Sequence, residues 1–519
     1  MKYRKRLLSV LLALALLAGC AAPASQTGSL LPGQVQTLRL AGGTDWGAPN
    51  PFLHQSRGPG QARMRLVYGS LLEKDETGDV GWLAESWRQS GSEYTFTLRA
   101  GAKFQDGTPL TAADVAFTID YYRAHPPVSA SLGAGDAFLV ESCAVQDERT
   151  ITITAARTDA DTLSALGSFV ILPRHIWEQV DDPYTYTGEG YLVGSGAYAC
   201  TGYDAATGSY EFTAQNDFCA GTPAAQRVLF VPVSDPLLAF ERGEIDITDM
   251  PADLAGRYRD DPSIGLVEKS DDMGTKLLVN FEKCPQLLDK SLREALYWAL
   301  DRQAVVDKVF RGAGSVGSAG DVPPSSPYYA PGCVQYPYRP GKAKALLEPL
   351  GLELTMLCAD SGDDLAIAEL LANDLQAAGV AVTVQAYDSA TRDQMVNAGD
   401  YELTLVSNGG WGNNPPDYLR TVFSDTAKNK GGNPHNMGPI GYENAAITAL
   451  ADAQKAEPDP DRRKELLAEL QVEISREIPL VVVATRSSYS MYRKDVYDGW
   501  MKTYAYQQAE QNRLSYMLR

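Results

Sequence analysis

The chain has 519 residues, of which 44% are apolar and 21% charged, the composition of a globular protein of several domains, and this excludes wholesale disorder. There are 65 acidic and 46 basic side chains, a net charge of −19, and four of the bases (Lys2, Arg4, Lys5 and Arg6) lie in the first six residues. So acidic a surface repels phosphate backbones and argues against nucleic acid as a partner, and four histidines in the whole chain argue against a multi-histidine metal site.

The N-terminus reads as an address. After the basic residues comes the apolar run 7–17, broken only by Ser9. It is too short to span a bilayer and right for a signal-peptide core. It ends in Leu17-Ala18-Gly19-Cys20, which resembles the bacterial lipobox. The resemblance implies a signal peptide over 1–19, cleavage before Cys20 and a lipid on its sulfur. Residues 20–36, rich in Ala, Pro, Ser, Gln and Gly, are expected to form a flexible tether. Six further cysteines (Cys143, Cys200, Cys219, Cys284, Cys333 and Cys358) allow 15 pairings, and nothing in their spacing selects one. A body this large does not need covalent staples, so free thiols are expected.

Residues 36–41 alternate as a strand and lead into the loop Gly42-Gly43-Thr44-Asp45-Trp46. Residues 94–99 are a second alternating strand. Thr111, followed by Asp114, is the expected cap of a helix running to Ala124. Residues 198–203 and 209–214 flank a turn at Gly208 and form a hairpin. Apolar residues from Leu292 to Val309 keep helical spacing up to Gly312. A strand over 354–358, a helix over 364–378 closed by Gly379 and a strand over 380–386 make a βαβ unit, hence parallel sheet. A strand over 401–407, helices over 443–455 and 461–474, and a strand over 480–485 complete the α/β pattern.

Motifs of catalysis are sparse. Gly312-Ala313-Gly314-Ser315-Val316-Gly317 matches GxGxxG, but a dinucleotide site needs a strand before it and a helix after it. Here a helix precedes and Pro323-Pro324 follows, so a flexible loop is expected. Neither GxxxxGK[ST], GxSxG nor HExxH occurs. His54, His125, His175 and His435 are scattered.

A string of ordered blocks is more specific. Leu83-Ala84-Glu85-Ser86-Trp87, the strand 94–99, Gly101-Ala102-Lys103-Phe104 and 106–115 (DGTPLTAADV) come first. Val193-Gly194-Ser195-Gly196-Ala197-Tyr198, Arg242-Gly243-Glu244-Ile245-Asp246, Asn280-Phe281, 292–296 (LREAL) and 299–302 (ALDR) follow. The series ends with Lys342 to Leu347, Trp411-Gly412 and Pro416-Asp417. Over residues 36–519 this resembles the family 5 extracellular solute-binding proteins, the peptide and nickel receptors of ABC importers. As scaffold, Arg293 and Arg302 are expected to make helix-end ion pairs with Glu294 and Asp301.

The resemblance implies an α/β, two-lobed periplasmic-binding-protein (Venus-flytrap) fold with an extra inserted domain. Lobe I would comprise 37–66, 190–280 and 488–519, the inserted domain 67–189, and lobe II 281–487, with closure by hinge motion. It implies capture of di- or oligopeptides and delivery to permease subunits driven by a separate ATPase. The protein would be a monomer without cofactor or catalysis, lipid-anchored outside the cytoplasm, at the cell surface or in the periplasm. Candidate ligand contacts are Gly43, Thr44 and Trp46 from lobe I, Arg57 for a carboxylate, and Trp411, Asn413, Asn414 and Asp417 from lobe II. Where peptide-binding members often carry an acid for the ligand ammonium, this chain has Asn413 and Asn414. An amide cannot neutralise a cation, and Asp417 is the nearest substitute. A nickel or metal-chelate receptor is the alternative within the family, with Trp411 packing on the chelate and His435 as a ligand. An exported hydrolase and a ligand sensor are the alternatives outside it.

Overall fold

The computed structural model describes residues 30–55, 58–75, 78–360, 362–409, 415–428, 438–502 and 509–519; the expected signal peptide and Cys20 lie outside them. The first half of the chain runs β1 (Val35–Gly42), α1 (Gly58–Val67), β2 (Leu72–Asp75), β3 (Gly78–Gly81), β4 (Ala84–Ser90), β5 (Glu93–Leu98) and α2 (Ala112–Ala124). It continues through β6 (Val140–Val145), β7 (Thr150–Ala155), α3 (Thr162–Ser168), β8 (Tyr198–Asp204), β9 (Ser209–Ala214), β10 (Ala225–Pro232) and β11 (Ile247–Pro251). The second half comprises β12 (Ile264–Val279), α4 (Lys290–Ala299), β13 (Gly314–Val316), β14 (Glu353–Ala359), α5 (Gly362–Ala377), β15 (Ala381–Tyr387) and β16 (Leu403–Gly409). Then come α6 (Pro415–Phe423), α7 (Ala445–Ala456), α8 (Pro460–Glu477) and β17 (Val481–Arg493).

One sheet runs through the molecule in the order β15-β14-β16-β12-β17-β11-β1-β10-β9-β8, with β13 added to β17; β4-β5-β7-β6 form a separate sheet. The apolar residues divide into cores that respect the chain. One is built from 38–267 and 492–517, with a small satellite around Phe240 and Met491. The other two draw only on 277–484. The molecule therefore has a first body, made of N-terminal and C-terminal segments, and a second body made of one contiguous stretch. The four-stranded sheet belongs to the first body's core, into which Phe96, Ile151 and Ile153 are buried. β12 and β17 pass from one body to the other as an antiparallel pair. Residues 264–269 pair with 488–493 beside β11, and 273–277 pair with 481–486 beside β16. The register shifts between Lys269 and Met273, where the pair changes body.

Local signals explain much of this. The Thr111 backbone N–H and hydroxyl both donate to Asp114 Oδ2 at 2.8 Å and so cap α2. Gly379, at φ +88°, ends the α5 segment where a Cβ would be strained. β14 and β15 are parallel and in register, Leu354 opposite Val382. The blocks of the sequence signature also act as scaffold. Asp246 holds Arg39 through Oδ1, 2.6 Å from Nη2, and through its Oδ2, which accepts from the Arg39 backbone N–H. All six described cysteines are free; Cys284, Cys333 and Cys358 are buried.

Three expectations need correction. The helix that should reach Gly312 stops at Ala299: Leu300 is extended, and the Asp301 carboxylate accepts from Ala304 N–H at 3.1 Å, starting a new turn. A short acid that caps outcompetes continuation of the helix. Gly312 to Gly317 is not simply a loop, because 314–316 pair with 484–486 of β17. A Cβ on Gly314 would sit 2.2 Å from the Thr485 carbonyl oxygen, so the glycine serves close strand approach. Arg293 and Arg302 pair with neither Glu294 nor Asp301. Both are buried and donate to carbonyls, Arg293 to Leu288 and Glu477, and Arg302 to Gly317, Val482 and Tyr336. Burial left their donors no water, and enclosed backbone carbonyls met the need, with the Glu477 carboxylate 3.4 Å from Arg293.

Candidate functional site

The site is organised by α1. Its C-terminal end is clamped by the 194–196 loop: Gly196 N–H donates to Val67 O at 2.7 Å, and Gly69 N–H donates to Ser195 Oγ. A Cβ at Gly194 or Gly196 would lie 2.2 Å from a carbonyl oxygen of α1, so both positions require glycine. Gln105 seals the junction, donating to Val67 O and Tyr198 O and accepting from Gly194 N–H. Successive side chains of a helix step by about 100°. Gln61, Met64 and Arg65 therefore share one face, and Pro59, Ala62, Arg63 and Leu66 the opposite one. Each face lines a different cavity.

The larger cavity, about 540 Å³, lies between the bodies. Its walls are the first face of α1, the β2–β3 hairpin, the 127–133 loop and α3 from the first body, with Asp417 of α6 and Lys455 of α7 from the second. Arg65, Lys74 and Lys455 face Glu73, Asp79, Asp161 and Asp417, so both signs of charge line one space. Lys455 Nζ is 2.6 Å from Asp161 and 3.1 Å from Asp417, and Arg463 reaches Asp161 at 3.1 Å. Burial alone would raise the Asp161 carboxyl, but the hydrogen bonds from Arg463 and Lys455 override it and hold it at about 2. Glu73 is buried between Arg65, at 2.7 Å, and Arg513. His54 is buried too, its Nδ1 2.9 Å from Asn50 O; desolvation pushes its pKa down, so the ring is neutral.

The smaller cavity, about 280 Å³, sits at the C-terminal ends of the parallel strands β1 and β10, beside the start of β11; strand ends of this kind are where α/β sheets bind ligands. Leu40, Ala41, Phe230, Pro236 and Ile247 make it apolar, and Arg63, Asp249 and Glu510 are its charges. Arg63 is 96% buried on its 4% exposure and lies 4.4 Å from the Tyr210 ring and 4.2 Å from that of Phe230. Its Nε and Nη1 have no hydrogen-bond partner among the described residues. Desolvation pushes its pKa down to about 10, which still leaves it charged at neutral pH. Asp249 pairs with Lys269 at 2.8 Å.

The sequence-derived residues do not converge on one cavity. Trp46 lines the smaller one, its backbone N–H donating to Tyr210 Oη at 2.8 Å. Asp417 lines the larger, on the other side of α1, and is already bonded to Lys455. Gly43 and Thr44 line neither and lie against the hairpin turn at Gly208, where Gly43 N–H donates to Gly208 O. Arg57, Trp411, Asn413, Asn414 and His435 lie outside the described residues. Arg63, Asp161, Lys455 and Glu510 went unanticipated. None of the four left a local trace, because α1 was not expected and the partners of the others are distant in sequence. Among the described residues no group of three or more His, Cys, Asp or Glu side chains could hold a metal, and no helix is long and apolar enough to cross a membrane.

Residues 80–430 match the family described as bacterial extracellular solute-binding proteins, family 5 Middle. The chain is 27% identical over 459 residues to the heme-binding protein A of Haemophilus influenzae, covering 82% of each chain. It is 25% identical over 486 residues to the dipeptide-binding protein of Escherichia coli, covering 86% of this chain and 89% of that one. Its fold is that of the ABC transporter substrate-binding protein CtaP of Listeria monocytogenes, with a TM-score of 0.74, 22% identity and coverage of 89% and 94%. The two bodies are thus the two lobes of a periplasmic-binding-protein fold.

Proposed function

The chain belongs to the family 5 bacterial extracellular solute-binding proteins, and from that membership we propose that it captures peptides between its two lobes and hands them to the permease of an ABC importer. The observation that carries this reading is the larger cavity. Its walls come from both lobes, so closure would bury what lies there, and they present acids and bases together, as a zwitterionic chain with polar amides requires. The dipeptide-binding relative supports the same cargo class. The role is capture and delivery without chemistry. Trp411, Asn413 and Asn414 are proposed to meet cargo from the second lobe. Cys20 is proposed as a lipid anchor, with 20–36 as the tether, placing the receptor on the outer side of a membrane.

The test is mass spectrometry of ligand co-purified from the native host, followed by calorimetry with peptides of two to nine residues. Peptides bound and recovered intact are expected. Recovery of a metal chelate would replace the cargo, and recovery of cleaved peptide would replace capture with hydrolysis.

A further inference from the structure

α1 turns its second face to a cavity that the proposed capture site does not use. A guanidinium this deeply buried ordinarily has a carboxylate or several carbonyls around it, because an unpaired buried charge is costly. Arg63 has the aromatic rings of Tyr210 and Phe230 on it and no carboxylate within ion-pair reach among the described residues. The rings fix the guanidinium plane and leave Nε and Nη1 without a partner among the described residues. Asp45, an acid whose charge reaches Arg63, makes no ion pair with it and is bound elsewhere: it accepts from Tyr203 Oη and Gly47 N–H, both at 2.8 Å. Glu510 lines the same cavity. Its Oε1 lies 3.7 Å from Lys269 and its buried Oε2 has no partner among the described residues. The apolar part of the wall is made by Leu40, Ala62, Leu66, Phe230 and Ile247.

We propose that this 280 Å³ cavity is a second subsite, in which Arg63 takes a carboxylate whose adjoining apolar group fills the space between α1 and the ends of β1 and β10. Glu510 faces an N–H of the same ligand. A carboxylate, an apolar side chain and an amide N–H together are the last residue of a peptide with a branched apolar C-terminus. A free branched-chain carboxylate shares the first two features. In the first case the inference rests on the peptide reading and specifies its cargo. A neutral ligand would leave Arg63 desolvated and unpaired, so the site discriminates by charge.

The experiment compares Ala-Leu, its C-terminal amide and 4-methylpentanoate on the full chain, with wild type, Arg63→Gln and Arg63→Lys. Calorimetry reads affinity, and circular dichroism and thermal melting read the fold. Wild type should bind the acid at least tenfold more tightly than the amide. Arg63→Gln should bring that ratio near one by weakening the acid alone. Arg63→Lys, which keeps the charge without the planar fork, should fall between them. Apo stability should hold or rise in Arg63→Gln, since an unpaired buried charge is removed. If peptides bind and the acid-to-amide ratio is the same in Arg63→Gln as in wild type, the subsite is wrong and peptide capture stands. If no peptide binds but 4-methylpentanoate raises the melting temperature of wild type and not of Arg63→Gln, the subsite stands and the peptide reading falls. If Arg63→Gln lowers apo stability while neither probe stabilises wild type, Arg63 is packing and the proposal is overturned.

Discussion

Asp161→Asn tests what holds the two lobes together. Asp161 immediately precedes α3 in the first lobe, and its partners Lys455 and Arg463 lie on α7 and α8 of the second. Its side chain is only 21% exposed, so the pair is partly shielded from solvent. The carboxyl falls from its ordinary 3.8 to about 2. At 1.36 kcal/mol per unit this is worth about 2.5 kcal/mol, or roughly 60-fold in a closed-to-open equilibrium. That figure is an upper bound, because Lys455 keeps Asp417 after the substitution. A loss of about 1–2.5 kcal/mol is therefore expected. The sign follows from a depressed acid: its contribution is whole above pH 4 and disappears as pH falls from about 4 through 2. Small-angle scattering of the ligand-free protein should show a larger radius of gyration for Asp161→Asn at pH 7. Wild type should expand toward the same value on acidification while the variant changes less. Apparent ligand affinity should fall by about tenfold, with the melting behaviour of each lobe kept. Identical scattering and affinity in the two proteins at neutral pH would show that the contact does not bias closure.

Other expectations are simpler to check. Cys20→Ala should move the protein from the membrane to the soluble fraction, because each lost acyl methylene removes about 0.8 kcal/mol of membrane affinity; retention in high salt would refute the anchor. Lys276 and Asp321, 2.7 Å apart and both fully buried, lie in the second lobe. Asp321→Ala alone should cost about 3–5 kcal/mol in urea unfolding, and Lys276→Met with Asp321→Leu should recover most of it; equal losses in single and double variants would contradict this. Cargo at a hundredfold excess over Kd should stabilise the native protein by about 2.7 kcal/mol in thermal unfolding, and the cargo should be recovered unchanged.

Elements with a clean period were legible. The alternation in 36–41 and 94–99 became β1 and β5, and the strand–helix–strand pattern around 364–378 became β14, α5 and β15. The ordered blocks of the signature carried the family and therefore the fold. What sequence could not supply was anything made by distance. Asp161 and Lys455 are 294 positions apart, and no local pattern pairs them. β17 was expected to stop at Thr485, yet it runs to Arg493, because the polar stretch 486–493 pairs with β11 and with 264–269 of β12. α1 was missed because its first residues, Gly58-Pro59-Gly60, read as a turn. A helix that starts in this way is kept by the clamp at 194–196 rather than by its own propensity.

The interleaved first lobe and the contiguous second have a consequence for the order in which the molecule assembles. Arg513 binds Glu73 across 440 residues, and Trp500, Tyr516 and Met517 complete the core begun by Leu38. No partial chain lacking that late segment can finish the first lobe. The apolar cores of the second lobe draw only on 277–484, so their packing does not wait for the late segment. Once formed, the second lobe holds Leu277 and Val481 opposite one another, replacing the closure of a loop of about two hundred residues with a preformed pair of strand ends. Nucleation in the middle of the chain, followed by zippering of β12 along β17 toward the first lobe, is the kinetic route this topology favours.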